Sequence, residues 1–216
     1  MAASPAFIHL RVHTEYSLVD GVVRVKPLMN TLVEQGMPAV ALTDQGNLFA
    51  MVKFYKAALG SGIKPIIGVD AWVSDADSQA QPYRMLLLCQ NREGYLNLSQ
   101  LISKSFLEGQ QRGIPIIQSA WIDEKNDGLI ALSGGREGDV GRALIAGNHE
   151  EAEQRLQHWK ATFGDRYYLE LQRTGRENEE HYIAEAVSLA IKTATPVVAT
   201  NDVRFIKSDD FEAHEV

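Results

Sequence analysis

The chain has 216 residues, 45 % of them hydrophobic, enough to bury a full core and within the size range of one α/β domain. Its formal charge of −7, from 21 Lys and Arg against 28 Asp and Glu, excludes a domain whose main task is gripping a phosphate backbone through bulk charge. A lone cysteine, Cys89, excludes an internal disulfide framework and a cysteine-rich zinc module. Residues 1–7 carry neither a basic n-region nor a long apolar run, and no apolar run approaches membrane-spanning length, so a soluble, cytoplasmic protein without a membrane partner is the expectation.

Seven short apolar runs, 7–12, 39–42, 65–69, 85–88, 128–132, 167–171 and 196–199, are predicted as strands buried on both faces. Helical spacing fills the intervals at 26–34, 48–59, 93–106, 150–163 and 179–192. In the fourth of these, Ala152, Leu156, Trp159 and Phe163 share one face at steps of four, three and four. Strand followed by helix, repeated, predicts a parallel α/β sheet, either open and doubly wound or closed into a barrel. The polar stretch 74–82 reads as a surface loop between neighbouring strands. Gly134-Gly135-Arg136-Glu137-Gly138-Asp139-Val140-Gly141 lacks both the Walker and the dinucleotide spacing, and is expected to be a tight turn. Trp72, Trp121 and Trp159 read as packing residues, and Tyr167 and Tyr168 point to opposite faces of their strand. The chain ends in a stretch that starts like a helix at an N-cap Ser208 and then stops, as a piece of a longer protein would.

In parallel α/β architectures the loops at the C-terminal ends of the strands converge on the functional face. The polar residues predicted there include His13, Asp20, Asp44, Asp70 and Asp202. By residue type this is a metal-phosphoesterase face, because packed carboxylates need cations to offset them. The plainer alternatives are that Asp44 is the N-cap of the next helix and that His13 is a hydrogen-bonded structural residue.

The segment His9-Leu10-Arg11-Val12-His13-Thr14-Glu15-Tyr16-Ser17-Leu18-Val19-Asp20-Gly21 closely resembles the opening motif of the polymerase and histidinol phosphatase (PHP) domain that begins the alpha subunit of bacterial DNA polymerase III. The resemblance continues through Ala41-Leu42-Thr43-Asp44-Gln45-Gly46-Asn47-Leu48, Ile63-Lys64-Pro65-Ile66-Ile67-Gly68-Val69-Asp70, Glu93-Gly94-Tyr95-Leu96-Asn97-Leu98 and Val198-Ala199-Thr200-Asn201-Asp202-Val203-Arg204-Phe205, in the same order as in that family. It implies a distorted seven-stranded β/α barrel, TIM-like, with residues 1–216 forming one PHP domain at the start of a much longer polymerase chain.

Metal-binding members of the family are expected to carry histidines where this chain has Arg11, Gln45, Arg84 and Arg204, a glutamate at Asp70, and a cysteine or histidine at Gly135. Only His13, Asp20 and Asp202 match the ligand pattern outright. Arginine offers no lone pair and keeps its proton near neutral pH, so three arginines facing three aspartates would put guanidinium–carboxylate contacts in place of metal ligation. The resemblance therefore implies a module with no catalytic residue and no metal or cofactor of its own. The magnesium ions would belong to a palm domain of the parent polymerase, which also makes the contact with DNA. The partners implied are the rest of the alpha chain and the proofreading exonuclease (epsilon) subunit, for which the module offers a docking surface while stabilising the polymerase. The alternative is a working metal-dependent phosphoesterase, a 3′ to 5′ exonuclease or a pyrophosphatase, with a metal on His13, Asp20 and Asp202 and Asp70 as a further candidate ligand.

Overall fold

A computed structural model describes residues 7–75 and 81–211, without the side chains of Val19 and Asp20. They form two compact units, one of Met1–Val69 with Asn201–Val216 and the other of Asp70–Thr200.

In the first unit a 3-10 turn, Glu15–Asp20, precedes α1 (Val25–Glu34), β1 (Ala39–Leu42) and α2 (Met51–Gly60), and the start of β2 (Lys64–Ser74) closes it. Helix α1 buries Val25, Leu28, Met29 and Leu32, the i, i+3, i+4, i+7 set of a single stripe. That stripe joins Val12, Val40, Leu42, Phe54, Ala58 and Ile63 in one apolar cluster. Strand β1 is buried along its whole length and pairs in parallel with β2, Ala39 opposite Lys64 and Leu42 opposite Ile67.

The predicted first strand, 7–12, is not a strand here; it makes only an isolated parallel bridge, Val12 with Val203. It does lie beside β1, since Ala41 donates to the His9 carbonyl at 2.9 Å and Thr43 to the Val12 carbonyl at 3.0 Å. The reciprocal donor is diverted: the Val12 N–H goes to Thr43 Oγ1 at 2.8 Å, a side chain where a ladder would use backbone.

The second unit holds the rest of β2, then β3 (Tyr83–Cys89), α3 (Arg92–Leu107), β4 (Gln110–Gln111), β5 (Ile114–Gln118), α4 (Ser119–Glu124), β6 (Leu129–Leu132), α5 (Asp139–Ile145), α6 (His149–Phe163), β7 (Tyr167–Gln172), α7 (Glu179–Thr193) and β8 (Val197–Thr200). Its strands are hydrogen-bonded in the order β4-β5-β2-β3-β6-β7-β8. The pairs β2–β5, β6–β7 and β7–β8 are parallel, whereas β3–β6 and β4–β5 are antiparallel, so the sheet is mixed and not the wholly parallel one expected. The reason is the connection before β3: a parallel return needs a crossover of about a dozen residues or more, and residues 75–82 are too few. Three short features have no counterpart in the sequence pattern: β5 with its two-residue partner β4, α4, and α5 after the glycine-rich turn.

Helix α6 buries Ala152, Leu156, Trp159 and Phe163 as its periodicity predicts. Tyr167 is fully buried and Tyr168 only in part, the split expected of neighbours on a strand. Gly134 and Gly135 have φ of +76° and +60°, and a Cβ on Gly134 would collide with the Arg84 carbonyl. That turn needs glycine for its backbone. At the C-terminal end Ser208 opens a 3-10 turn, Ser208–Asp210, whose Asp210 carboxylate accepts the Lys207 N–H; the helix expected over 208–216 lies largely outside the described residues.

Candidate functional site

In the first unit the Val12–Val203 bridge aligns two arginine-bearing segments. His13 donates its backbone N–H to Val203 at 2.9 Å, and Val203 donates to the Arg11 carbonyl at 3.2 Å. The register places the side chains of Arg11 and His13 beside those of Asp202 and Arg204. Arg204 Nε donates to Asp202 Oδ2 at 3.0 Å, while Arg11 Nε and His13 Nε2 stand 3.7 and 3.9 Å from Asp202 Oδ1. One buried carboxylate thus sits among two guanidinium groups and an imidazole. The side chains of Arg11, His13 and Asp202 are at most 4 % exposed, and that of Arg204 12 %. Burial, and secondly the charge of Arg11, lower the Arg204 pKa to about 10, which leaves it cationic at neutral pH.

Asp44 has a hydrogen-bonding task that the sequence did not show. It is fully buried; Oδ1 accepts the Thr14 N–H at 2.6 Å and the Ser17 hydroxyl at 2.7 Å, and Oδ2 the Thr14 hydroxyl at 2.8 Å. It ties the turn after residue 13 to the end of β1, and it is not an N-cap, since α2 begins only at Met51. Gln45 donates its backbone N–H to the Ser17 hydroxyl at 3.1 Å. Asp20 closes the 3-10 turn, and its side chain lies outside the described residues.

In the second unit Asp70 and Arg84 meet inside strands β2 and β3. The sequence put Asp70 just past a strand end, but β2 runs on to Ser74 and buries it completely. Arg84 Nη2 donates to Asp70 Oδ2 at 2.7 Å, with the two side chains 2 % and 0 % exposed. The Arg84 guanidinium also lies 4.5 Å from the centre of the Trp72 ring, so its flat face is covered by an aromatic surface. Gly135 is buried, and its missing Cβ faces Gln172 Oε1 at 3.3 Å.

Three buried carboxylates, Glu170, Asp139 and Glu179, lie outside the candidate site residues of the sequence. Glu170 is fully buried in β7 and accepts from Thr200 Oγ1 at 2.5 Å and Gln172 Nε2 at 3.1 Å. Its signal was available, a glutamate between two leucines in an otherwise apolar run. Asp139, at the start of α5, accepts from Val140 N at 2.7 Å and from Trp159 Nε1 at 2.8 Å, and Arg155 stands 3.7 Å away. Burial raises its carboxyl pKa against those three opposing contacts. It joins α5 to α6 and had no sequence signal beyond its place after a glycine. Cys89 is a poor nucleophile, its thiol pushed up to about 12 by burial.

Among the described residues, no three His, Cys, Asp or Glu side chains are grouped so as to hold a metal ion, and no helix is long and apolar enough to cross a membrane. The sequence profile of the PHP domain matches residues 9–174, most of the chain. The chain belongs to the PHP domain family. It is 55 % identical over 210 residues to the DNA polymerase III subunit alpha of Pseudomonas fluorescens, and 49 % identical over 214 residues to that of Escherichia coli K12. These matches cover 97 % and 99 % of the PHP chain but only 18 % of each relative, so the chain spans less than a fifth of the length of the proteins it matches. Among solved structures, a Bifidobacterium adolescentis protein assigned as a metal-dependent phosphoesterase superposes with a TM-score of 0.62 at 13 % identity, covering 94 % of this chain and 89 % of that one. An amidohydrolase from Chromobacterium violaceum, solved with sulfate and no metal, gives 0.59 at 15 % identity, covering 92 % and 88 %. These likenesses show the fold, the mixed α/β PHP fold that the sequence resemblance implied as a distorted TIM-like barrel.

Proposed function

We propose that this PHP domain is a non-catalytic module of a replicative DNA polymerase III alpha chain. The observation that carries the reading is the one carboxylate, Asp202, contacted by Arg204 and approached by Arg11. A divalent cation of the zinc or manganese kind needs lone pairs from imidazole, carboxylate or thiolate. A guanidinium offers none and repels the ion, so the residues around Asp202 do not fit a metal. The same substitution of charge for coordination occurs at Asp70, where Arg84 supplies the cation directly. Activating water for attack on a phosphate in the manner of a metallo-phosphoesterase requires a metal that these residues do not suit.

On this reading polymerisation, magnesium binding and the contact with DNA belong to the rest of the alpha chain, in the cytoplasm. The PHP module stabilises that chain and docks the proofreading exonuclease subunit, whose own active site makes a second nuclease redundant. The support is the identity to alpha subunits across 97–99 % of the chain together with the arginines at Asp202 and Asp70. The test is a 3′ to 5′ nuclease and pyrophosphatase assay on the full alpha chain, free of the exonuclease subunit, with manganese or zinc added. The expected result is no turnover above that of an Asp202→Asn variant; metal-dependent hydrolysis abolished by that variant would restore the phosphoesterase reading.

A further inference from the structure

Helix α2 carries a surface that its own unit does not need. Phe54 and Ala58 hold it to the core, while Val52, Tyr55 and Leu59 are 56 %, 44 % and 55 % exposed. At 3.6 residues per turn those three fall within about 60° of arc, an i, i+3, i+7 stripe of the kind used where one helix packs along another. Phe49, 64 % exposed, lies in the turn just before the helix. Large apolar side chains exposed singly are ordinary on a protein surface; three aligned on one helix face are a candidate interface.

The charge around the stripe narrows what can cover it. From Gln45 to Val69 there is no Asp or Glu, but there are three lysines, 53, 56 and 64, in a chain whose net charge is −7. Lys53 is engaged with Glu15 at 3.3 Å, whereas Lys56 is exposed along the edge of the stripe. A second copy of this helix would set Lys56 against Lys56, and like charges across an interface oppose association. The complementary partner is a helix with its own apolar stripe and with Asp or Glu beside it.

We propose that α2 is the docking face for such an acidic amphipathic helix, supplied by the part of the polymerase polypeptide outside this chain. This rests on the functional reading above, and the source is argued from length: the matched segment is 18 % of each alpha-subunit relative, so most of what surrounds it belongs to the same polypeptide. Packing Val52, Tyr55 and Leu59 against a tethered helix removes them from water without the entropic cost of bringing in a separate chain.

The experiment places a photo-crosslinking benzoylphenylalanine at position 52, and separately at 59, in the full-length polymerase chain, and maps the products by mass spectrometry. The expected result is a crosslink within the same polypeptide, beyond residue 216, to a segment bearing Asp or Glu at helical spacing. Its yield should not depend on protein concentration and should drop several-fold when Lys56→Glu is added. A crosslink to a second copy, a crosslink to another protein, or none at all overturns the inference. Primer extension is measured on the same preparations: an active polymerase without the crosslink overturns this inference alone, whereas a full chain that cannot extend a primer overturns the functional reading beneath it.

Discussion

Arg84 is the most informative single residue in this domain. It is buried with Asp70 at 2.7 Å, and its other face is closed by Trp72. Removing Arg84 takes from the buried Asp70 the cation it contacts, so Arg84→Ala is expected to lower stability by about 3–5 kcal/mol. The double change Arg84→Met with Asp70→Leu should recover most of that loss, because similar-sized apolar side chains need no compensation. Urea unfolding of the unaltered domain and both variants decides the matter. A double variant as unstable as the single would mean that Asp70 serves more than its arginine. Arg204→Ala should cost less than Arg84→Ala: Arg204 is more exposed, its charge is already disfavoured by burial and by Arg11, and Arg11 and His13 remain near Asp202.

Glu179 offers a test in pH. Burial alone would raise its pKa, but the Thr174 hydroxyl and the backbone N–H groups of Thr174, Gly175 and Arg176 all donate to it and hold it below the ordinary value of 4.5. A carboxyl depressed in the folded state contributes stability that is fully present above the unfolded pKa and is lost as pH falls through the folded one. Glu179→Ala is therefore expected to cost about 1.5–3 kcal/mol at pH 7, the range for hydrogen bonds to a charged group, with the gap to the unaltered protein narrowing below pH 4.5. Thermal melts from pH 7 down to 3 check it; a gap that stays constant would remove the carboxylate from the explanation.

At the scale of elements, close approach does what side-chain volume does elsewhere. Helix α3 passes so near the start of β6 that a Cβ on Gly94 would run into the Gly128 backbone. The obstacle is backbone, not a flexible side-chain end, so Gly94→Ala must push the helix outward, at about 1–3 kcal/mol by the usual scale of overpacking. Denaturation of that variant, with Gly60→Ala as a control where a Cβ meets nothing within 4 Å, separates the contact from generic loss of glycine.

Periodicity finds the long elements because a four-turn helix or a strand buried on both faces repeats its signal; α3, α6 and α7 lie within two residues of their expected limits. It fails on α4 and α5, which are six and seven residues long and too short to complete a pattern. It fails also at 7–12, where the apolar run does lie along β1 but the Thr43 hydroxyl replaces a backbone partner. No single-strand pattern encodes that.

For the molecule as a whole, the match across nearly the full chain fixes the family, and motif order alone made it legible in the sequence. The candidate site was legible in part. The meeting of Arg84 with Asp70 and of Arg204 with Asp202 brings expected residues together. Glu170 had a signal in its place between two leucines, but its partners, like those of Asp44, were not legible, because a buried carboxylate satisfied by hydroxyls looks in sequence like any other acid. If the arginines have replaced the metals, manganese or zinc should leave the melting temperature of the domain unchanged, since only a ligand that binds the folded state raises it.

The more direct measurement is anomalous X-ray scattering from crystals of the domain soaked in manganese and zinc. No metal peak is expected at His13 and Asp202 and none at Asp70, with guanidinium density of Arg204 and Arg84 against the carboxylates. A well-occupied peak about 2.0–2.2 Å from His13 and Asp202 would contradict that expectation and make this a working metal site.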